Sequence, residues 1–260
     1  MTRVLATAGA LIVLTGCAAH LPPRPSGAVT PDPTAIDAFR AATRGCIGLR
    51  TLTAELSLSG HASGERLRGR VVAGLETGGA LRLEGLAPFG PPVFILAGRH
   101  EQAMLLLPRD HRVLPATGVA AVLERLTGLA LGADDLRLIL SSCLADPASL
   151  SDGRQWGGGW RAVTVGPGKT AYLRDVQGTS VVVAADYGAW RVDYTDRAGG
   201  WPRTVRLRSG NQNTIDVTAR VAQLQLNLDI ADRAFALDIP ADAQPMTLDE
   251  LRAVAPLTPK

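Results

Sequence analysis

Few side chains in this 260-residue sequence are placed to do covalent chemistry. The four histidines, His20, His61, His100 and His111, are scattered without metal-ligand spacing and fall near turns or in a proline-rich stretch, so solvated imidazole is the simplest reading. No Gly-x-Ser-x-Gly elbow is present to raise a serine nucleophile. Gly166-Pro167-Gly168-Lys169-Thr170 has the ending of a phosphate-binding loop, but Val163 stands where that motif requires its first glycine, and a strand pattern follows where a helix is needed. It reads as a hairpin turn. Asp134-Asp135 and Asp249-Glu250 lie at helix starts, where the helix dipole accounts for them. No catalytic constellation, metal site or cofactor is expected, so the chain does not read as an enzyme. What remains is thiol chemistry at Cys17, which follows Leu14-Thr15-Gly16. The small residues before it leave the backbone open to a peptidase, and the thiol is a nucleophile able to accept an acyl-bearing group.

The residues ahead of Cys17 explain what it is for. Arg3 supplies a short positive region, and Val4 to Thr15 form an uncharged apolar run. A bilayer span needs about 20 apolar residues, so the run is too short to cross. It fits the apolar region of an export signal, which takes no part in the fold. Leu14-Thr15-Gly16-Cys17 resembles the lipobox of bacterial lipoprotein precursors. The resemblance implies cleavage before Cys17, lipidation of its thiol and attachment through acyl chains contributing about 0.8 kcal/mol per buried CH₂. Ala18 follows where an aspartate would retain such a protein in the inner membrane, so the periplasmic face of the outer membrane is the expected address.

The organisation expected is therefore a signal peptide over 1–16, a lipidated cysteine and proline-rich tether over 17–33, and a single domain over 34–255. The net charge of +3, carried by dispersed arginines, gives no reason to expect nucleic acid as a partner. Cys46 and Cys143 remain as an even pair in an exported chain. They read either as a disulfide, favoured in an oxidising compartment, or as two buried thiols packing as small hydrophobes.

The elements that follow are mostly strands. Asp32-Pro33-Thr34 begins a helix with Ile36, Phe39 and Cys46 along one face, and Gly45 marks its stop. Alternation then takes over in Leu52 to Ser59, Leu67 to Leu75, Leu81 to Leu83, Val93 to Ala97 and Met104 to Leu107. A helical pair interrupts the strands. One helix, capped by Thr117, carries Val119, Val122, Leu123 and Leu126 and ends at Gly128; the next presents Leu136, Ile139, Leu140 and Cys143 and is stopped by Pro147. Strands resume at Trp160, Thr170, Ser180, Trp190, Val205, Ile215 and Leu224, and Thr247 to Glu250 form a capping box for a last helix. The fold class expected is α+β, mainly β: a curved antiparallel sheet forming an incomplete barrel, covered by a few helices around an apolar cavity.

Three stretches taken together resemble the LolB family of outer-membrane lipoprotein receptors and insertases. They are Leu81 to Gly90, a strand ending in Pro88-Phe89-Gly90; Gly118 to Leu144, two helices around Leu126-Thr127-Gly128; and Trp190 to Tyr194, followed by Pro202 and the strand Thr204 to Leu207. The resemblance implies the same curved-sheet fold, with acylated lipoproteins as cargo, a LolA-like periplasmic carrier as donor and membrane lipid as acceptor. It also implies that Phe89 projects from its loop as an aid to membrane insertion. The residues expected to line the cavity are Leu56, Leu58, Val71, Leu83, Ile95, Leu123, Leu126, Ile139, Trp190, Val192 and Tyr194. Two features depart from the family pattern: the Cys46 and Cys143 pair, and a C-terminal run, Leu226 to Leu251, that looks more like the end of the LolA carrier. A carrier of free lipid or glycolipid, or a structural lipoprotein with a filled core, are the alternative functions.

Overall fold

Strict alternation commits β2 (Thr51–Ala62) and β3 (Glu65–Glu76) to long half-buried strands: Leu52, Ala54 and Leu56 are buried in one, and Leu67, Val71, Ala73 and Leu75 in the other. They pair antiparallel along their full length, and the computed structural model builds the rest of the sheet outward from them. The structure describes residues 23–62, 64–145, 149–209, 214–254 and 257. The signal peptide, Cys17, the start of the tether with His20, and Pro147 lie outside the described residues.

In chain order, β1 (Val29–Pro31) and α1 (Thr34–Ala42) precede β2 and β3, and β4 (Ala80–Leu86), β5 (Phe94–Arg99), β6 (Gln102–Leu107) and β7 (Arg112–Gly118) follow them. Next come α2 (Val119–Thr127) and α3 (Ala133–Ser141). The second run of strands is β8 (Ser151–Trp156), β9 (Trp160–Gly166), β10 (Lys169–Val176), β11 (Thr179–Tyr187), β12 (Trp190–Ala198), β13 (Trp201–Ser209) and β14 (Ile215–Leu226). The short β15 (Gln244–Pro245) and α4 (Leu248–Val254) close the chain. Among the described residues, fifteen strands form one sheet, in the order β1-β8-β9-β10-β11-β12-β13-β14-β2-β3-β4-β5-β6-β7-β15. It is two meanders, β2 to β7 and β8 to β14, joined where β14 pairs with β2. Every pairing is antiparallel except that of β15 with β7, and the sheet does not close.

The mainly β, open curved sheet with four helices is the fold expected from the pattern of the sequence. Several elements differ in detail. Val29–Pro31, within the proline-rich stretch, forms an edge strand against β8, where Pro31 is tolerated. Strands β7 and β8 were not legible as strands: β7 contains Pro115, and β8 reads Ser-Asp-Gly-Arg-Gln-Trp with no apolar alternation. The apolar residues from Ile215 onward form one strand to Leu226, with a register shift between Ala222 and Gln225, rather than two. Thr117 does not cap α2; it lies in β7, its hydroxyl donates to Pro115 O, and Gly118 takes the cap position.

The helices lie across the buried face. α1 packs over β8, β9 and β11 through Ala35 and Phe39; α3 lies over β3, β4 and β13; α2 sits beside β6 and β7 and against α4. The opposite face is polar. There Arg206 binds Asp216, Arg208 binds Asp193 at 2.6 Å, and Arg82 pairs with Glu84 at 2.6 Å. Arg24, from the segment read as tether, lies on this face too, donating to Ala185 O and Val192 O and pairing with Asp193 at 3.3 Å.

Candidate functional site

Between the central strands β13, β14, β2, β3, β4 and β5 and the helices α2 and α3 lies a cavity of about 80 Å³. Its wall is apolar apart from Thr127, whose hydroxyl is satisfied within its own helix by Leu123 O at 2.8 Å. A wall without free donors or acceptors stays dry and favours hydrocarbon over water or any polar ligand.

Of the residues expected to line a cavity, Leu56, Leu58, Val71, Leu83, Leu123, Leu126 and Ile139 lie on this wall. Four do not. Ile95 sits between the buried Phe94 and Leu96 on β5 and faces the other side of the sheet, and Phe94 takes the place on the wall. Trp190, Val192 and Tyr194 belong to β12, one strand beyond the cavity. Their part of the buried face is filled by packing: Val192 and Tyr194 are buried in the core and Trp190 packs against it. The wall also includes residues the sequence reading missed: Leu75, Leu129, Leu136, Leu140, Leu207, Val217, Ala219 and Leu257. Leu207, Val217 and Ala219 follow the strand alternation and were readable from it; nothing local marks Leu257.

The two covering helices are held differently. α3 is anchored at both ends. At its start, Glu101 from the β5–β6 turn accepts from Ala133 N at 2.9 Å and Asp134 N at 3.2 Å, satisfying amides that a helix leaves open. Tyr187 Oη donates to Asp135 Oδ1 at 2.6 Å, and Lys169 Nζ sits 3.6 Å from the same oxygen and 3.8 Å over the Tyr187 ring. Burial, and then this hydrogen bond to a carboxylate, hold the Tyr187 hydroxyl well above the usual tyrosine range, so it stays a donor. Just past the other end of α3, Cys143 is disulfide-bonded to Cys46. This decides between the two readings of that pair. α2, by contrast, is joined to α4 by the exposed Arg125–Asp249 pair at 3.0 Å. Tyr187→Phe is expected to cost about 1–2 kcal/mol, read as a lower urea midpoint; an unchanged midpoint would mean that Lys169 alone secures Asp135.

The Phe89 loop stands apart from the cavity. Phe89 is 89 % exposed, the largest exposure among the big apolar side chains described. Pro88 and Gly90 are exposed beside it, and Gly90 has φ +80°, which a side chain would strain. Arg109, from the β6–β7 turn, donates to Phe89 O and to Pro91 O, so the loop backbone is held while the ring is left in solvent.

The chain is similar in structure to a LolA superfamily protein. That protein, from Nitrosomonas europaea, superposes with a TM-score of 0.48 at 10 % identity, over 80 % of this chain and 98 % of its own. A DUF1329 family protein from Desulfovibrio piger gives a TM-score of 0.48 at 13 % identity, over 79 % and 97 %. The Mycobacterium tuberculosis lipoprotein LppX gives 0.33 at 7 % identity, over 77 % and 98 %. No protein-family model matches the chain, and no curated protein sequence matches it.

Proposed function

We propose that this protein is lipid-anchored at the periplasmic face of the outer membrane, receives acylated lipoproteins from a LolA-like carrier, and inserts them into that membrane. The observation that carries the reading is the cavity wall, apolar throughout except for a hydroxyl already bonded within its helix. Such a site binds acyl chains through the area they remove from water, at about 25 cal/mol per Å², and has nothing with which to read a polar headgroup. The exposed Phe89 ring supports the delivery half of this reading, and the lipobox resemblance at Cys17 supports the anchoring half. Transfer requires no covalent step. Cargo moves from carrier to cavity to bilayer because each site buries the acyl chains better than the last, and moderate affinity in the cavity keeps the final step favourable.

The cavity is small, about 80 Å³, and a long acyl chain gains room in it by displacing one of the covering helices. The small volume also favours a second reading, a structural lipoprotein whose concave face is simply filled.

The deciding experiment mixes the full chain carrying Cys17→Ser with a LolA-like carrier loaded with an acylated lipoprotein, and with a non-acylated cargo as control. Acyl-dependent transfer is the expected result. Absence of transfer together with uptake of a fluorescent fatty acid would favour a carrier of free lipid. Absence of both would leave the filled-core reading.

A further inference from the structure

Leu257 reaches the cavity from the far end of the sequence. It is 5 % exposed and stands on the wall among residues of β2, β3, α2 and α3. Its carbonyl accepts from Arg68 N at 3.1 Å, so it is tied to the backbone of β3. The position opposite its side chain is Gly69, where an added Cβ would come within 2.9 Å of Leu257 Cδ2. Glycine at that point leaves the leucine room to lie flat against the strand. The chain leading to it is tied down as well. Gln244 N donates to His111 O and Met246 N to Val113 O, Glu250 pairs with Arg112 and Asp249 with Arg125, both at 3.0 Å, and Leu251 of α4 is fully buried. These ties run from β7, across α2, to β3.

We infer that Leu257 is a built-in competitor for the acyl cavity. It fills the space beside Gly69 that an incoming acyl chain takes. The inference rests on the proposal that the cavity binds acyl chains, and adds to it where the chains enter and what they displace. The asymmetry of the two covering helices agrees with this. α3 is held by a disulfide and by the part-buried Tyr187 bond, whereas among the described residues a single solvent-exposed ion pair, Arg125–Asp249, adds to the packing of α4 against α2. Opening therefore occurs on the α2 side, with α3 as the fixed wall. An internal leucine plug also keeps an empty apolar cavity from gathering stray lipid and keeps affinity moderate, because each binding event must first displace it.

The test measures the binding of 11-(dansylamino)undecanoic acid, a fluorescent fatty acid, to the full chain carrying Cys17→Ser. Two variants are compared with that parent. Leu257→Asp drives the plug into solvent, since an unpaired carboxylate does not stay in a dry cavity. Leu257→Ala shortens the plug and leaves its backbone tie to Arg68 N in place. Leu257→Asp is expected to bind about tenfold tighter, the factor that corresponds to about 1.4 kcal/mol, and Leu257→Ala severalfold tighter. Unchanged or weaker binding in both variants, with the parent still binding, overturns the plug and leaves the acyl cavity standing. No binding by the parent or either variant overturns both. Should Leu257→Asp fail to fold, Leu257→Ala decides the matter alone.

Discussion

Replacing both cysteines of the Cys46–Cys143 bond with serine is expected to lower stability by about 4 kcal/mol. The bond closes a loop with a sequence separation of 97, and the chain-entropy model gives close to 5 kcal/mol for a loop of about 100 residues. Native disulfides removed from small domains cost roughly 2–5 kcal/mol. The loss falls on a particular place. One cysteine ends the 3-10 turn that follows α1, and the other follows α3, so the bond joins the helix over β8, β9 and β11 to the helix over the cavity. Without it, α3 keeps its Glu101 and Tyr187 ties at one end but loses the covalent one at the other. Urea unfolding of the oxidised protein and of the Cys46→Ser/Cys143→Ser variant checks this: the midpoint should fall, and the slope should rise because the unfolded chain without the crosslink exposes more surface. A loss under about 1 kcal/mol would show that the unfolded chain gains little freedom from the cut.

Phe89→Glu is expected to leave cargo uptake intact and to cut delivery into vesicles about a hundredfold. Burying a phenylalanine side chain contributes roughly 1.5–3 kcal/mol, and each 1.4 kcal/mol is a factor of ten, so loss of the ring alone approaches that figure before the cost of bringing a carboxylate to the interface. Uptake is spared because Phe89 is not on the cavity wall and makes no contribution to the core. Arg109 holds the loop through the carbonyls of Phe89 and Pro91 rather than through the ring, so the loop keeps its shape in the variant. Separate assays of uptake from the carrier and release to phospholipid vesicles distinguish the steps. Equal loss in both would sink the wedge, and retention of delivery by Phe89→Leu would show that apolarity, rather than aromaticity, is what the loop supplies.

The elements that local pattern revealed are those in which one face is buried and the other wet. β2 and β3 read cleanly because Leu52, Ala54, Leu56 and Leu67, Val71, Ala73 alternate with polar neighbours. The helix at Val119 to Leu126 read cleanly for the same reason at period 3.6, with Gly128 adopting φ +77° at its stop. Where both faces are apolar the phase is lost. Val93-Phe94-Ile95-Leu96-Ala97 gives no sign of which residues face the cavity, and Ile95 turns outward while Phe94 and Leu96 turn in. Where neither face is apolar the strand itself is invisible. β8 exists because β1 and β9 pair with it, not because of its side chains. Thr117 had the right chemistry for a cap, but the chain was already committed to pairing with β6 at Ala103.

Local periodicity by itself determined a curved, mainly β sheet with few helices, and the character of individual segments: an apolar loop at Phe89, helix starts at Thr34 and Thr247, and two cysteines able to pair. These are properties of a few neighbouring residues, which the period of burial records directly. Tertiary structure alone decided which apolar residues share one cavity, how small that cavity is, and that Leu257 lies against Gly69 in it. Those contacts join strands and helices far apart in sequence, and they follow from how the sheet coils and how the helices divide its buried face. Any leucine satisfies a burial pattern, so the pattern does not say which neighbour it meets. That is settled by the shape of the space left when the other elements have packed.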